Sequence, residues 1–268
     1  MPLFHLVLVA LIQGITEFLP ISSSGHLILL PALTGMQDQG QAVDVAVHVG
    51  TLGAVVLYFW RDVSDAVVGL PGALTGRHEE PGARLAFLLI VATIPVIVAG
   101  LALKLTGWDD AMRSVVVIGW AMLLFGLLLW WADRRGGTAF TDVHWNRADA
   151  IRLGLWQAVA LIPGTSRSGI CITGARFLGY DRHGAAKIAM LMSIPTILAS
   201  GLLLGIEVAA DADGALARDM GIAAALAFVS ALGALALMMR LLRTVSFTPY
   251  VVYRVVLGVG LLAWGYAM

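Results

Sequence analysis

Two short clusters of polar residues interrupt an otherwise apolar sequence. The first reads Gln-Gly-Ile-Thr-Glu-Phe-Leu-Pro-Ile-Ser-Ser-Ser-Gly-His over residues 13–26, and the second reads Pro-Gly-Thr-Ser-Arg-Ser-Gly over residues 163–169. Gln13 and Glu17 are four residues apart, so they project from one face of a helix. Because a charged side chain in apolar surroundings is costly to keep unless it pairs or reacts, the two clusters together form the candidate functional site.

The side chains of the two clusters suit an anionic phosphate. Arg167 offers a planar fork of donors for phosphate oxygens, and Glu17 with Gln13 could hold a hard cation such as Mg²⁺ beside them. His26 titrates near neutral pH and can act as a nucleophile or as a general acid/base. If the two clusters meet, these parts favour attack on phosphorus. The residues assigned to substrate binding are Gln13, Ser22, Ser24, Gly25, Thr165, Ser166, Ser168 and Gly169.

The composition of the chain is that of a membrane protein. Hydrophobic residues make up 59% of the 268 positions, charged residues make up 13%, and the mean hydropathy is +0.89. A soluble domain carries about 25% charged residues, so this chain has roughly half of the charge that a water-facing surface needs. The formal net charge is zero, with 17 basic and 17 acidic residues, which gives no electrostatic support for a nucleic-acid partner.

Apolar runs of membrane length indicate six transmembrane helices, since crossing the hydrocarbon takes about 20 mostly apolar residues. Two further apolar stretches, residues 3–35 and 150–179, are broken in the middle by the polar clusters. Non-helical backbone at membrane depth must be buried in protein or line a wet cavity, so each stretch is predicted to form a re-entrant helix–loop–helix segment. The predicted fold is therefore an all-α integral membrane protein. The six predicted spans are residues 45–60, 85–103, 114–132, 188–206, 220–239 and 249–267.

The two broken stretches are similar in sequence. Three predicted spans follow each of them, and an odd number of crossings inverts the second unit relative to the first. We therefore predict two inverted repeats, residues 1–140 and 141–268, with a binding site where they meet. A shift of 144 residues superposes Gln13 on Gln157, Ser22 on Ser166, Ser24 on Ser168, Gly25 on Gly169, Gly35 on Gly179 and Ala42 on Ala186.

The distribution of basic residues predicts the orientation. With six spans, one side of the membrane receives eleven arginines and lysines, and the other side receives only Lys104, Arg113 and Arg218. The richer side is predicted to be cytoplasmic, which leaves both termini outside. Only the first cluster carries Glu17 and His26, so the site is predicted to open to the outer side. The eleven basic residues are Arg61, Arg77, Arg84, Arg134, Arg135, Arg147, Arg152, Arg182, Lys187, Arg240 and Arg243.

The two clusters closely resemble the two signature motifs of the bacterial undecaprenyl-diphosphate phosphatases, the bacitracin-resistance family. The ending Ser246-Phe-Thr-Pro-Tyr, the length and the order of segments match as well, so the resemblance covers the whole chain. It implies a plasma-membrane enzyme that hydrolyses undecaprenyl diphosphate to the monophosphate and so recycles the lipid carrier of cell-wall synthesis. It also implies a divalent cation (Mg²⁺, with Ca²⁺ or Mn²⁺ as alternatives). The expected partners are the polyprenyl diphosphate, membrane lipids and a second copy of the chain.

Carried over position by position, the resemblance places Glu17 on the essential acidic residue of the first motif and His26 on its histidine. Arg167 falls on the arginine of the second motif, and Ser23 on a serine that is one proposed nucleophile. Either Ser23 or His26 attacks phosphorus in this reading. Many relatives have glutamate where this chain has Gln13, so a metal site built on two carboxylates is in doubt here, and substrate phosphates would have to complete the coordination.

Two other readings compete with a phosphatase. Inverted repeats with broken helices are typical of transporters, so a polyprenyl-phosphate transporter or flippase is the alternative function. A purely structural membrane protein would leave the buried charges of the two clusters unexplained. Outside the clusters, His48 either lines the cavity or lies at the interface, Arg176 is expected to snorkel, and Arg254 is expected to have an acidic or carbonyl partner.

Overall fold

The chain is helical throughout the residues that the computed structural model describes, which are 2–35, 38–108, 112, 114–211 and 214–267. Within these ranges it forms eleven α-helices and a 3₁₀-helix (Asp142–His144), and no strand. Arg113, used above for the orientation, lies outside them. The helices are α1 (Leu3–Phe18), α2 (Ser23–Thr34), α3 (Gly40–Tyr58), α4 (Trp60–Leu74), α5 (Pro81–Thr106), α6 (Val115–Arg135), α7 (Arg147–Val159), α8 (Arg167–Phe177), α9 (Arg182–Asp211), α10 (Gly214–Leu241) and α11 (Thr248–Ala267).

Six of these helices are long and apolar enough to cross a membrane, judged by length and composition. Each of them overlaps one of the predicted spans, so the prediction of an all-α protein with six candidate spans is confirmed. The differences lie at the ends of the helices, where α3 begins at Gly40 and not at residue 45. The candidate spans are Gly40–Tyr58, Pro81–Thr106, Val115–Arg135, Arg182–Leu202, Gly214–Leu241 and Thr248–Ala267.

The two broken stretches form pairs of short helices. Helices α1 and α2 have 16 and 12 residues and are separated by loop 1 (residues 19–22). Helices α7 and α8 have 13 and 11 residues and are separated by loop 2 (residues 160–166). Helix α1 ends where it does because Leu19 precedes Pro20, and a residue before proline is forced out of the helical conformation. Leu19 accordingly has the extended dihedrals φ −68° and ψ 143°.

The halves of the chain pack on each other reciprocally. Helix α1 of the first half packs on α10 of the second half, and α7 of the second half packs on α5 of the first. Close approach depends on small residues: a Cβ on Gly14 of α1 would lie 2.8 Å from the Ala227 carbonyl oxygen, and a Cβ on Gly154 of α7 would lie 2.6 Å from that of Ala92. These contacts hold both broken stretches against long helices.

A buried carboxylate ties together the helix ends opposite the two loops. Asp133, at the end of α6, forms an ion pair with Arg182 at 2.8 Å and with Arg176 at 3.3 Å. It also accepts a hydrogen bond from the Phe247 N–H at 3.3 Å. Arg176 is only 2% exposed and donates to four backbone carbonyls, so the expectation that it snorkels to the interface is wrong. The positive charge of Arg176 is satisfied inside the protein because backbone carbonyl groups surround it.

Helix α4 was not predicted from the sequence. It has 15 residues, too few to span the hydrocarbon, and its first half carries the charged residues Arg61, Asp62 and Asp65. Lys187 holds its first turn in place, since the ammonium lies 2.7 Å from the Asp62 carboxylate and 2.9 Å from that of Asp142. Val68 on the same helix is 78% exposed, which leaves one side of α4 apolar and uncovered.

Candidate active site

Loops 1 and 2 end in the same strained conformation. Ser22 (φ 75°) and Ser166 (φ 70°) are the two non-glycine residues with positive φ in the described part of the chain. Each is the N-cap of the following helix, where its hydroxyl accepts a hydrogen bond from the N–H of Gly25 (3.3 Å) or Gly169 (3.1 Å). Such a backbone costs about 1–3 kcal/mol and persists where its surroundings over-determine it, which is common in active sites. The starts of α2 and α8 are therefore built alike.

Hydroxyl groups connect the two loops directly. Ser166 and Ser168 have their Oγ atoms 3.1 Å apart, as Ser22 and Ser24 have theirs at 3.3 Å. The Ser168 hydroxyl, fully buried, also donates to the carbonyl oxygen of Leu19 at 3.0 Å. The first turn of α8 thus satisfies a carbonyl that the end of α1 leaves free, and the two breaks in the helices lie against each other.

The Glu17 carboxylate is the point where the two clusters meet. Its Oε1 accepts from Nη2 of Arg167 at 2.8 Å, across 150 residues of sequence. Its Oε2 accepts from the Ser23 hydroxyl at 2.6 Å and from Nε2 of Gln13 at 3.0 Å. The side chains of Glu17 and Arg167 are 6% and 13% exposed, so the pair is largely removed from solvent. Four predicted site residues are thus joined by hydrogen bonds.

Further groups set the electrostatics of this centre. Nη1 of Arg167 donates to the Ala189 carbonyl of α9 at 3.2 Å, which fixes the guanidinium between Glu17 and that helix. His48 of α3 is partly buried, and its Nδ1 lies 2.7 Å from the Asp44 carbonyl oxygen. Helices α2 and α8 both begin here, so their positive ends add to the attraction for an anion. The arrangement can bind phosphate oxygens and activate a hydroxyl.

The hydrogen-bond partners of His26 lie in loop 1 and in α11. Its Nδ1 lies 2.6 Å from the Ser22 carbonyl oxygen, and its Nε2 lies 2.5 Å from the Tyr253 hydroxyl. Because a carbonyl only accepts, Nδ1 carries the hydrogen, and in the neutral ring Nε2 accepts from Tyr253. The rings of His26 and Tyr253 are stacked, with centroids 5.6 Å apart. Among the described residues, no hydrogen bond joins His26 to Glu17.

Tyr253 and Arg254 of α11 were not assigned to the site from the sequence. A signal was present, since Arg254 is the single charge in the apolar run 249–267 and Tyr253 stands next to it. Nothing in the sequence indicates that α11 reaches both loops. That placement depends on the packing of α11 against α6.

The predicted site residues differ in their exposure to solvent. Ser23, His26 and Arg167 are partly exposed and Ser24 is exposed, so these four can meet a ligand without rearrangement. Gly25 and the other predicted members are buried in the loops and in the helices that adjoin them. Those buried members are Gln13, Ser22, Thr165, Ser166, Ser168 and Gly169.

A divalent cation fits these residues only in part. The Oε1 of Gln13 is buried and has no hydrogen-bond partner in the described structure, which makes it a candidate oxygen ligand. A carboxylate has about four lone-pair sites, and three donors already occupy that of Glu17. No group of three or more His, Cys, Asp or Glu side chains that could hold a metal occurs in the described ranges. The site meets the minimum for Mg²⁺, which is one carboxylate together with substrate phosphates and water.

Comparisons with known proteins agree on one family. The family model described as bacitracin resistance protein BacA matches residues 6–260. A relative from Ruegeria pomeroyi named undecaprenyl-diphosphatase is 71% identical over 267 residues and covers 100% of both chains. One from Jannaschia sp. with the same name is 68% identical over 267 residues, again 100% of both. Undecaprenyl-diphosphatase 1 from Rhodospirillum rubrum is 47% identical over 272 residues, 99% of this chain and 96% of its own.

Arg167→Lys is expected to lose most turnover of a diphosphate substrate, by on the order of 10²-fold, although the charge is kept. An ammonium cannot hold Glu17, the Ala189 carbonyl and two phosphate oxygens at once, whereas the planar guanidinium has five donors. The measurement is phosphate release by detergent-solubilised protein of matched concentration. Arg152→Lys, at a 60% exposed side chain, is the control. Near-normal turnover of folded Arg167→Lys protein would contradict the phosphate-binding role assigned to the Arg167 guanidinium.

Proposed function

The chain belongs to the family of the bacitracin resistance protein BacA, and we propose that it hydrolyses undecaprenyl diphosphate to undecaprenyl phosphate and inorganic phosphate in a bacterial plasma membrane. The relatives that span this whole chain carry the name of that activity. The product is the lipid carrier of cell-wall synthesis, so hydrolysis recycles it and counters bacitracin. For this activity we assign the nucleophile to Ser23, the base to Glu17 and the cationic group to Arg167.

The hydrogen-bonded series Ser23–Glu17–Arg167 carries the proposal. Ser23 donates to Glu17 at 2.6 Å, and Glu17 accepts from Arg167 at 2.8 Å. A carboxylate that already accepts the hydroxyl hydrogen is in place to remove it when the oxygen attacks. A transporter needs a phosphate-binding group but has no use for an activated hydroxyl. The geometry therefore favours an enzyme over the alternative of a transporter.

In the first step, Arg167 binds oxygens of the terminal phosphate, and the Ser23 oxygen attacks its phosphorus. The bond from Oγ to phosphorus forms, the bond from that phosphorus to the bridging oxygen breaks, and undecaprenyl phosphate leaves with the bridging oxygen. The hydrogen of Ser23 passes to Glu17. In the second step, water attacks the phosphorus of the phosphoserine, the bond from phosphorus to Oγ breaks, inorganic phosphate leaves with the water oxygen, and Glu17 returns the hydrogen to Ser23. Phosphoryl transfer of this kind depends mainly on positioning and on charge stabilisation.

His26 is assigned to proton transfer. It lies three residues after Ser23 on the first turn of α2, and residues at this spacing share a helix face. Its Nδ1 is held by the Ser22 carbonyl, so Nε2, with Tyr253 beside it, is the nitrogen that can give or take a proton. The contact with Tyr253 favours Ser23 over His26 as the nucleophile, because an attacking Nε2 would have to leave that hydroxyl.

Ser23→Ala is expected to lower phosphate release by at least about 10²-fold, and His26→Ala by a comparable factor, since each removes a reacting group. Rapid quench with radiolabelled substrate should trap an acid-stable phosphoserine. Ser200→Ala, which removes an exposed hydroxyl bonded only to backbone of α9, is the control. An acid-labile phosphohistidine at His26 would reverse the two roles, and purified wild-type protein that releases no phosphate would favour the transporter.

A divalent cation, Mg²⁺ first and Ca²⁺ or Mn²⁺ as alternatives, is proposed to bind between Glu17, Gln13 and the substrate phosphates. When bound, such an ion neutralises charge on the phosphate oxygens. The support is the buried, unpartnered Oε1 of Gln13 beside the Glu17 carboxylate. Gln13 meanwhile orients the carboxylate through its Nε2, a contact that a glutamate at this position would replace with a second negative charge.

Gln13→Glu is expected to keep activity and to lower the cation concentration needed for half-maximal turnover, because two adjacent carboxylates bind a hard cation more tightly. Glu17→Gln is expected to abolish turnover. The measurement is phosphate release during cation titration after chelator treatment. Gln157→Glu is the matched control, since Gln157 is equally buried but contacts the Ala92 carbonyl and not Glu17. Turnover that survives complete chelation would overturn the proposed metal site.

The membrane arrangement that we propose has two re-entrant segments and two inverted repeats, residues 1–140 and 141–268. The short helices support the first part, because 11 to 16 residues cannot cross the hydrocarbon. The matching caps Ser22 and Ser166 and the reciprocal packing of α1 and α7 support the second. Both termini and the mouth of the site then face the outer side. Lipid covers the exposed apolar side chains, and a second copy of the chain is a further proposed partner.

Single cysteines in a Cys171→Ser background test this orientation. Ser24 is exposed in the first turn of α2, and Ser24→Cys is expected to react with a membrane-impermeant thiol reagent on intact cells. Thr138→Cys, exposed between α6 and α7, is expected to react only after the cells are opened. Labelling is read by mass shift on purified protein. The reverse pattern would place the mouth of the site in the cytoplasm, and labelling of both residues in intact cells would contradict the proposed topology.

A further inference from the structure

Arg254 lies where the two loops and α6 meet. It belongs to α11, in the candidate span Thr248–Ala267, and it is 0% exposed. Charged side chains inside membrane segments are rare because burying them is costly, and those that occur are paired or functional. The partners of Arg254 therefore indicate why it is there.

Every hydrogen bond of the guanidinium goes to backbone carbonyl oxygen. In loop 1 it donates to Pro20 at 3.3 Å, and in loop 2 it donates to Gly164 at 3.1 Å and to Thr165 at 2.9 Å. On α6 it donates to Ala121 and to Met122, both at 3.2 Å. One side chain thus binds both interrupted segments and the helix between them.

Arg254 has no acidic partner. No carboxylate forms an ion pair with it anywhere in the described ranges. The space around it is kept free by glycines: a Cβ on Gly169 would lie 2.9 Å from Nη1, and a Cβ on Gly126 would lie 3.2 Å from the Arg254 Cβ. The positive charge is therefore held by carbonyl dipoles alone, next to the site of an anionic ligand.

We propose that Arg254 is a positioning residue for the reaction: it fixes loop 1 and loop 2 relative to each other and so sets the distance between Glu17 and Arg167. Each of these residues stands at one edge of a loop, Glu17 two residues before Leu19 and Arg167 directly after Ser166. An error of about 1 Å in such a placement can cost on the order of 10²-fold in rate. The inference rests on the proposed function. A lysine keeps the charge but not the fork, and cannot reach carbonyls of both loops together.

Arg176 provides a matched control. It is also buried, at 2% exposure, and it also donates to backbone carbonyls, those of Asp133, Gly136, Gly137 and Tyr180. These partners lie away from loops 1 and 2. Loss of the Arg176 fork should therefore destabilise the protein without moving the reacting groups.

The experiment compares Arg254→Lys with Arg176→Lys in detergent. Per folded molecule, Arg254→Lys is expected to lower kcat about 10-fold or more with a smaller change in KM, and to speed hydrogen exchange in peptides covering residues 19–25 and 160–169. Arg176→Lys is expected to lower Tm while leaving kcat and these exchange rates near those of the wild type. The proposal would be overturned if Arg254→Lys kept the wild-type kcat or the wild-type hydrogen exchange in the two loops. It would also be overturned if Arg176→Lys lost kcat and gained loop exchange to the same extent.

Two further outcomes are decisive. If Arg254→Lys does not fold, Gly126→Ala is the second variant. It keeps the arginine but places a methyl group against the Arg254 Cβ, and faster hydrogen exchange confined to the two loops is expected. Unchanged exchange in that variant would overturn the proposal. If the wild type releases no phosphate, the proposed enzyme fails, whereas hydrogen exchange in Arg254→Lys still decides whether Arg254 fixes the loops.

Discussion

Buried backbone that leaves the helical conformation must find its hydrogen bonds inside the protein, and this constraint governs the centre of the molecule, where loops 1 and 2 lie. Loops 1 and 2 meet it with one another and with α11. Ser22 and Ser166 accept from free N–H groups, while Ser168 and Arg254 donate to free carbonyls. The breaks in the helices make room for polar side chains, and those side chains make the breaks stable.

The same arrangement prepares the site for an anion. Among the described residues that form hydrogen bonds at the two loops, one carboxylate, Glu17, stands against two guanidinium groups, Arg167 and Arg254, so the balance of fixed charge is positive there. A buried ion pair on its own contributes little net stability, because desolvation offsets the attraction. The pair of Glu17 and Arg167 is better explained by the proposed chemistry: the carboxylate accepts the Ser23 hydrogen, and the guanidinium has further donors for phosphate while it binds the carboxylate.

Much of the fold could be predicted because the membrane simplifies the pattern. A span needs a long apolar run with charges at its ends, and each of the six runs found in the sequence overlaps a helix of that size. Helix α4 escaped prediction because its 15 residues are too short for that rule and carry Asp62 and Asp65. Its place is set by Lys187, which is more than a hundred residues away in sequence.

The candidate site shows where sequence information ends. Gln13 and Glu17 could be joined from their spacing alone, because helix geometry places residues i and i+4 together. The sequence by itself also determined the types of group present and the two breaks that expose them. Only the tertiary structure decided that Ser23, and not His26, donates a hydrogen bond to Glu17. It also decided that the Tyr253 hydroxyl bonds to the His26 imidazole, and that Arg254 donates to carbonyls of both loops. The reason is physical: those contacts depend on how distant helices pack, and an apolar face of α11 or α6 carries no sequence signal for its partner.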